Sequence, residues 1–117
     1  PFVKKHRWLV PFEAAGKAGD VLDVEGYPQC LFRGEKLIAM DAPDGSGKKT
    51  EIVGMFVEGN KQTPTLRVKI PTSSFAYNRR DNRMRFSTCT PGGSVTFTVR
   101  FLEDALWRGF LFGEAVL

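Results

Sequence analysis

The chain has 117 residues, of which 42% are hydrophobic and 26% charged, with a net charge of +4. This length and composition predict one domain with its own core and exclude a wholly disordered chain. No apolar run reaches the roughly 18 residues of a membrane-spanning helix, and the first ten residues, PFVKKHRWLV, lack the order of a secretory signal. We therefore expect synthesis in the cytoplasm, no membrane association, and reduced core thiols at Cys30 and Cys89.

Segments of alternating apolar and polar residues follow one another along the chain. In chain order, the predicted strands are RWLVPF (7–12), VLDVEG (21–26), QCLFRGEKLIAM (29–40), EIVGMFVEG (51–59), TLRVKI (65–70), RMRFSTC (83–89), GSVTFTVRF (93–101) and WRGFLFGEAVL (107–117). Only PTSSFAY (71–77) and EDAL (103–106) are compatible with a short helical turn. About eight short strands without a convincing helix predict an all-β fold, an antiparallel β-sandwich or barrel.

The alternation also predicts which side chains face the core. In GSVTFTVRF the inward residues are Val95, Phe97, Val99 and Phe101. In RMRFSTC the pattern places Met84, Phe86 and Thr88 inward, and Arg83, Arg85, Ser87 and Cys89 outward. Pro71 is expected to end its strand, because it cannot donate a ladder hydrogen bond.

Residues 41–50, DAPDGSGKKT, look like a phosphate-binding loop at first sight. The pattern G-x-x-x-x-G-K-[ST] needs glycine where Ala42 stands, and a hydroxyl where Lys49 stands. The next segment is a predicted strand and not the helix whose N-terminus would stabilise a phosphate. We therefore interpret the stretch as an exposed connection between strands, and expect no bound nucleotide or other cofactor.

No motif indicates catalysis or a metal site. His6 is the only histidine, and the spacing of the two cysteines does not match that of zinc ligands. The acidic pairs Asp20/Asp23 and Glu103/Asp104 are interpreted as solvated turn carboxylates. The chain is therefore expected not to be an enzyme. Exposed aromatic residues can stack on sugar rings, which keeps a carbohydrate-binding module open, with three candidates: Trp8, Tyr77 and Trp107.

Basic residues concentrate in KKHR (4–7) and NRRDNRMR (78–85), which hold seven of the seventeen lysines and arginines. A solvated face, a contact with an acidic protein and nucleic-acid binding all remain open. Residues 1–12 are predicted to be an interface arm or a first strand, and 13–117 a single domain. Trp8 either anchors a partner or joins the core. The candidate partner-binding residues are Phe2, Lys4, Lys5, Arg7, Trp8, Arg79, Arg80, Arg83 and Arg85.

The order of five segments resembles that of small single-domain jelly-roll proteins of bacteriophage particles. These segments are CLFRGEKLIA (30–39), EIVGMFVEGNKQTP (51–64), KIPTSSFA (69–76), PGGSVTFTVRF (91–101) and GFLFGEAVL (109–117). In such proteins an R-x-E-x-L strand precedes V-G-N-x-x-Q, then I-P-x-x-x-F and a P-G-x-x-[VI]-T strand. This chain departs from the pattern with VEGN and with a polar insertion at 42–50.

The resemblance implies a jelly roll of about eight strands and a structural role in the virion, as a capsid decoration (cement) protein or a minor shell protein. The implied partners are the major capsid protein and further copies of the chain, with no catalytic residues carried over. Two alternatives remain: a nucleic-acid-binding β module using the Arg79–Arg85 ridge, and a carbohydrate-binding module on a fibre.

Overall fold

A computed structural model describes residues 5–42, 47–61, 70–75 and 86–116. Its strands are β1 (Lys5–Gly16), β2 (Val21–Gly26), β3 (Leu31–Ala42), β4 (Thr50–Val57), β5 (Asn60–Lys61), β6 (Ile70–Pro71), β7 (Val95–Phe101) and β8 (Ala105–Val116). A 3₁₀ turn, Thr72–Phe75, follows β6 directly. Within these ranges no helix is long and apolar enough to cross a membrane.

The strands form two antiparallel sheets. In sheet A the order is β1-β8-β3, and in sheet B it is β2-β7-β4-β5, with β6 also paired to β4. The sheets pack face to face, so the predicted all-β antiparallel sandwich is confirmed. The boundary expected at residue 12 falls inside β1, which continues to Gly16.

Aromatic side chains from both sheets meet in the core. Phe12 of β1 and Phe97 of β7 pack edge to face, with ring centroids 4.9 Å apart and planes at 83°. The Trp107 ring of β8 lies 6.1 Å from Phe97. The inward residues predicted for β7 are all buried, as the alternation requires: Val95, Phe97, Val99 and Phe101.

A β-bulge in β3 changes which side chains reach the outer face of sheet A. The register with β8 shifts between Gly34 and Lys36, so Glu35 is an extra residue. Gly34 and Leu37 are both buried, and the two residues between them are half-buried. Gly113 lies opposite the bulge, where a Cβ would overlap the Arg33 carbonyl oxygen. Glycine is thus required for this close approach.

The hairpin between β4 and β5 is closed by Glu58 and Gly59, whose φ angles are 51° and 81°. Two consecutive left-handed residues are typical of a type I′ turn, which fits the twist of the strands it joins. Thr90 supports the turn by donating to the Glu58 carboxylate from its backbone N–H, at 2.7 Å, and from its hydroxyl. VEGN therefore forms a two-residue hairpin loop.

The side-chain directions predicted for residues 83–89 are partly wrong. Phe86 is buried as predicted, but Cys89 is buried and Thr88 exposed. In the described part of this segment, pairing is limited to an isolated bridge between Phe32 and Cys89 and a bond from the Phe86 N–H to the Gly34 carbonyl oxygen. Without a continuous ladder, the two-residue period is lost. Residues 83–85 lie outside the described ranges.

The connection between β3 and β4 is not simply exposed as predicted. Asp41, Gly47 and Thr50 are buried, while Lys48 is exposed. The predicted turn after Pro71 is confirmed by the 3₁₀ turn, and Pro71 is the last residue of β6. No turn of helix forms over EDAL in the structure, because β8 already begins at Ala105.

Candidate protein-docking face

Four of the seven large hydrophobic residues that are exposed in the described ranges lie on the outer face of sheet A. Leu9 is 44% exposed, Phe112 39%, Leu31 38% and Met40 36%. Leu9 and Phe112 are cross-strand partners, and a cluster of exposed apolar residues on one sheet is typical of an interaction site. We name this surface the sheet A face.

The strand register arranges the sheet A face in rows across β1, β8 and β3. Two adjacent rows form a central band that is apolar except for Lys36: Leu9–Phe112–Lys36 and Pro11–Phe110–Ile38. A mainly charged row lies on each side of the band: Arg7–Glu114–Arg33 on one side and, on the other, Glu13–Arg108–Met40, in which only Met40 is apolar. An apolar centre with a polar rim is the usual anatomy of a protein interface.

Ion pairs hold the charged rows together. Arg33 lies 3.3 Å from Glu35 and 3.8 Å from Glu114, and Arg108 lies 3.2 Å from Glu13. These side chains are about half exposed, so each pair contributes less than about 1 kcal/mol to folding. Across the whole face the charges nearly balance, because four basic residues (Arg7, Arg33, Lys36 and Arg108) accompany three acidic ones (Glu13, Glu35 and Glu114).

A cleft of about 300 Å³ opens at the Arg7 end of the sheet A face. Its apolar lining includes Trp8, Ile38 and Phe112, and its charged lining includes Arg7 and Glu114. Trp8 also packs against the core as a partly buried residue. The cleft can therefore accept an apolar side chain while its charged groups remain hydrated.

The outer face of sheet B has a different character. The strand register brings six polar side chains together there, beside the apolar Val21 and Phe56: Asp23, Glu25, Glu51, Thr96, Thr98 and Arg100. Thr98 donates to Asp23 at 2.7 Å, and Arg100 lies 3.7 Å from Glu51. This largely polar surface suits contact with solvent, so substitutions on it can be compared with substitutions on the sheet A face.

Two of the predicted partner-binding residues, Arg7 and Trp8, belong to the sheet A face and its cleft. The backbone of Lys5 begins β1. The other candidates lie outside the described residues: Phe2, Lys4, Arg79, Arg80, Arg83 and Arg85. Leu9 is among the apolar anchors expected in the N-terminal segment, whereas sequence reasoning missed Leu31, Met40 and Phe112. A signal was present in WRGFLFGEAVL, where apolar residues occupy both faces of one strand.

A buried polar network occupies the end of the sandwich beside β4. The Asp41 carboxylate accepts hydrogen bonds from the backbone N–H groups of Gly47 and Lys49, both at 2.9 Å, and from the Thr50 hydroxyl at 3.1 Å. The hydroxyls of Thr50 and Thr72 are 2.7 Å apart, and the Trp107 indole N–H donates to Thr72. Every polar group named here has a partner, so the network stabilises the fold and presents no open site.

Trp107 is fully buried, so its predicted role as an exposed sugar-stacking residue is wrong. Tyr77 lies outside the described ranges. Of the predicted turn carboxylates, Asp20 accepts from the Lys17 N–H and Asp104 from the Ala18 N–H. The prediction is wrong for Asp23, which lies within β2 and pairs with Thr98 of β7.

The described residues give little support for a nucleophilic cysteine or for a metal site. Both thiols are free and buried. Burial raises the pKa of Cys30, and burial together with the Glu58 charge raises the pKa of Cys89. A raised pKa disfavours the thiolate that a nucleophile needs. No group of three or more metal-ligating side chains occurs within the described ranges.

No protein-family model matches the chain, and a search of curated proteins finds no match.

Proposed function

We propose that the chain is a non-enzymatic structural protein of a bacteriophage-type virion, a decoration protein that binds shell subunits and stabilises the particle. The observation that carries the proposal is the sheet A face. A sheet surface with an apolar band and nearly balanced charge fits a protein neighbour. A polyphosphate partner would instead favour a strongly basic surface.

The strand pairing supports a jelly roll as the finer description of the sandwich. In a jelly roll the chain folds back on itself, so the first strand pairs with the last and the second with the one before it. Here β1 pairs with β8, β2 with β7 and β4 with β5. The departure is β6, which pairs with β4. Viral capsid domains are among the proteins that use this architecture.

The residues of the sheet A face also suit a structural role. Aromatic and arginine side chains supply most of the energy at protein interfaces, and here Phe110 and Phe112 lie between Arg7 and Arg108. Repeated copies on one particle would act together, so that modest contacts combine into firm attachment. In this proposal Lys4, Lys5 and the basic segment 78–85 meet acidic groups of the major capsid protein.

The test is binding to particles. Purified chain is mixed with virions of the phage that encodes it, after their accessory proteins have been stripped, and centrifuged through a sucrose gradient. We expect co-sedimentation at a fixed ratio to the shell protein, and release of the genome at a higher temperature than from stripped particles. Absence of the chain from native virions, together with no co-sedimentation, would refute the role.

A further inference from the structure

We infer that a second copy of this chain covers the sheet A face, related to the first by a two-fold axis that passes near Leu111. The two β8 strands then run antiparallel across the interface. The inference rests on the docking role proposed for this face and names the partner there as the chain itself, which leaves the basic residues outside the face to contact the shell.

The outward residues of β8 carry the inference. Arg108, Phe110, Phe112 and Glu114 project from one face and are spaced symmetrically about Leu111. A two-fold axis in the plane of the interface and perpendicular to β8 places Phe110 over Phe112 of the second copy. The same rotation places Arg108 over Glu114. The strand is therefore complementary to its own reversed copy.

The neighbouring strand β1 has the same property. Val10 pairs with Leu111, and Arg7 and Glu13 lie three residues to either side of Val10. The rotation that matches β8 also places Arg7 over Glu13 of the second copy, and Leu9 over Pro11. Opposite charges thus meet on two of the three strands, which is the complementarity that fixes orientation in protein interfaces. On β3 the same rotation places Arg33 over Met40 and Lys36 over Ile38, so no like charges are opposed there.

The alternative two-fold axis, parallel to β8, is disfavoured by charge. It would place Arg108 over Arg108 and Glu114 over Glu114, and like charges opposed at an interface are costly.

The crossing angle of two packed sheets still allows the charged rows to meet. Packed sheets lie about 10 Å apart and cross at about 30°. The charged rows are about 10 Å from the perpendicular axis, so this crossing shifts them by roughly 5 Å, within reach of an arginine side chain.

The area of the face predicts a weak dimer. Each of its three strands has 12 residues, which at about 3.4 Å per residue and about 4.8 Å between strands gives a footprint of roughly 600 Å². Two such footprints crossing at about 30° overlap over roughly 400 Å², so two copies would bury about 800 Å² in total, an area typical of weak, transient interfaces.

The open edge of sheet A is less suited to a second copy than its face. Of the described strands, only β8 pairs with β1. Pro11 lies in the middle of β1, and proline provides no N–H for pairing with an added strand.

Sedimentation equilibrium of the full chain tests the inference, with wild type expected to dimerise. Arg108→Glu would set a second carboxylate against Glu114 of the other copy, and Glu114→Arg would set a second guanidinium against Arg108. Each variant alone is expected to dimerise at least about tenfold more weakly than wild type. An equimolar mixture is expected to form heterodimers, because opposite charges then face each other at both positions.

Matched variants separate the face from the rest of the molecule. Phe112→Ser, in the central band, is expected to weaken dimerisation at least about tenfold. Val21→Ser and Arg100→Glu, on the outer face of sheet B, are expected to leave it unchanged. Near-ultraviolet circular dichroism of each variant reports whether the fold is retained, and the mixing experiment uses chains that pass this check.

Three results would overturn the inference: a wild-type chain that stays monomeric at all concentrations, single charge variants that dimerise as wild type does, or a mixture that does not recover. If the chain is monomeric but binds particles, the inferred dimer is refuted and the proposed virion role stands. A dimer with charge rescue that never binds particles would support the dimer and refute the virion role.

Discussion

The buried indole N–H of Trp107 donates a hydrogen bond to the Thr72 hydroxyl oxygen at 3.2 Å and so joins β8 of sheet A to the 3₁₀ turn beside β4 of sheet B. From Thr72 the hydrogen bonds continue through Thr50 to Asp41. The Thr50 hydroxyl has a single proton, which it donates to the Asp41 carboxylate. The hydrogen bond between the two threonine hydroxyls is therefore donated by Thr72. Each donor along this route is satisfied, and the route links the two sheets through polar contacts.

Replacing Thr72 with valine preserves the shape of the side chain and removes the hydroxyl. The Trp107 N–H and the Thr50 hydroxyl oxygen would then lose a partner inside the protein, which costs about 1–3 kcal/mol of the free energy of unfolding. Urea denaturation measures the loss. Thr72→Ser retains the hydroxyl and is expected to be closer to wild type, so a serine variant no more stable than the valine variant would contradict this account.

Asp41→Ala is expected to destabilise the fold by about 3 kcal/mol, because the N–H groups of Gly47 and Lys49 and the Thr50 hydroxyl lose their acceptor. Asp23 provides the comparison, since it is exposed and accepts one hydroxyl bond from Thr98. Asp23→Ala should cost less than about 1 kcal/mol. Thermal unfolding of both variants at one pH gives the comparison, and equal losses would refute a special role for Asp41.

Alanine substitutions at Gly47 and Gly59 distinguish the conformational cost of a side chain at positive φ from the steric cost of its Cβ. Both have positive φ, at 70° and 81°. A Cβ at Gly59 meets no atom within 4 Å, whereas one at Gly47 would overlap the Ser73 backbone N. Gly59→Ala should therefore lose only the conformational term, about 1 kcal/mol. Gly47→Ala should lose at least about 1 kcal/mol more. The difference between their chemical denaturation midpoints is the measurement, and similar losses would contradict the overlap.

Glu58 is expected to make stability depend on pH in the acid range. Hydrogen bonds from the Thr90 hydroxyl and backbone N–H lower the pKa of its carboxyl in the folded protein. The unfolded chain then binds the proton more readily, so stability rises with pH. The contribution is complete above the ordinary glutamate pKa of about 4.3 and is lost as the pH falls through the lowered value.

The variant Glu58→Gln removes this titration, so its deficit relative to wild type should shrink as the solution is acidified. Thr90→Val removes the hydroxyl donor and should reduce the same pH dependence. Melting temperature measured as a function of pH tests both. A Glu58→Gln deficit that stays constant into strong acid would contradict the assignment.

The alternating pattern alone determined the class of fold and much of the core. Val95, Phe97, Val99 and Phe101 are buried as predicted because β7 lies between β2 and β4, and a continuous ladder preserves the two-residue period. Where the ladder is interrupted, as at Cys89, the period no longer predicts burial. Local pattern therefore predicts side-chain direction only within paired strands.

Tertiary structure decided the remaining features, because they depend on residues distant in sequence. Asp41 can be buried because its carboxylate accepts hydrogen bonds from donors within residues 47–50. Thr72, in the 3₁₀ turn, completes the network through its hydrogen bond with Thr50. The sheet A face exists because β8 lies between β1 and β3, which brings Leu9, Phe112 and Ile38 into one apolar surface. Strand order sets such neighbours, and strand order follows from how the whole chain buries its core.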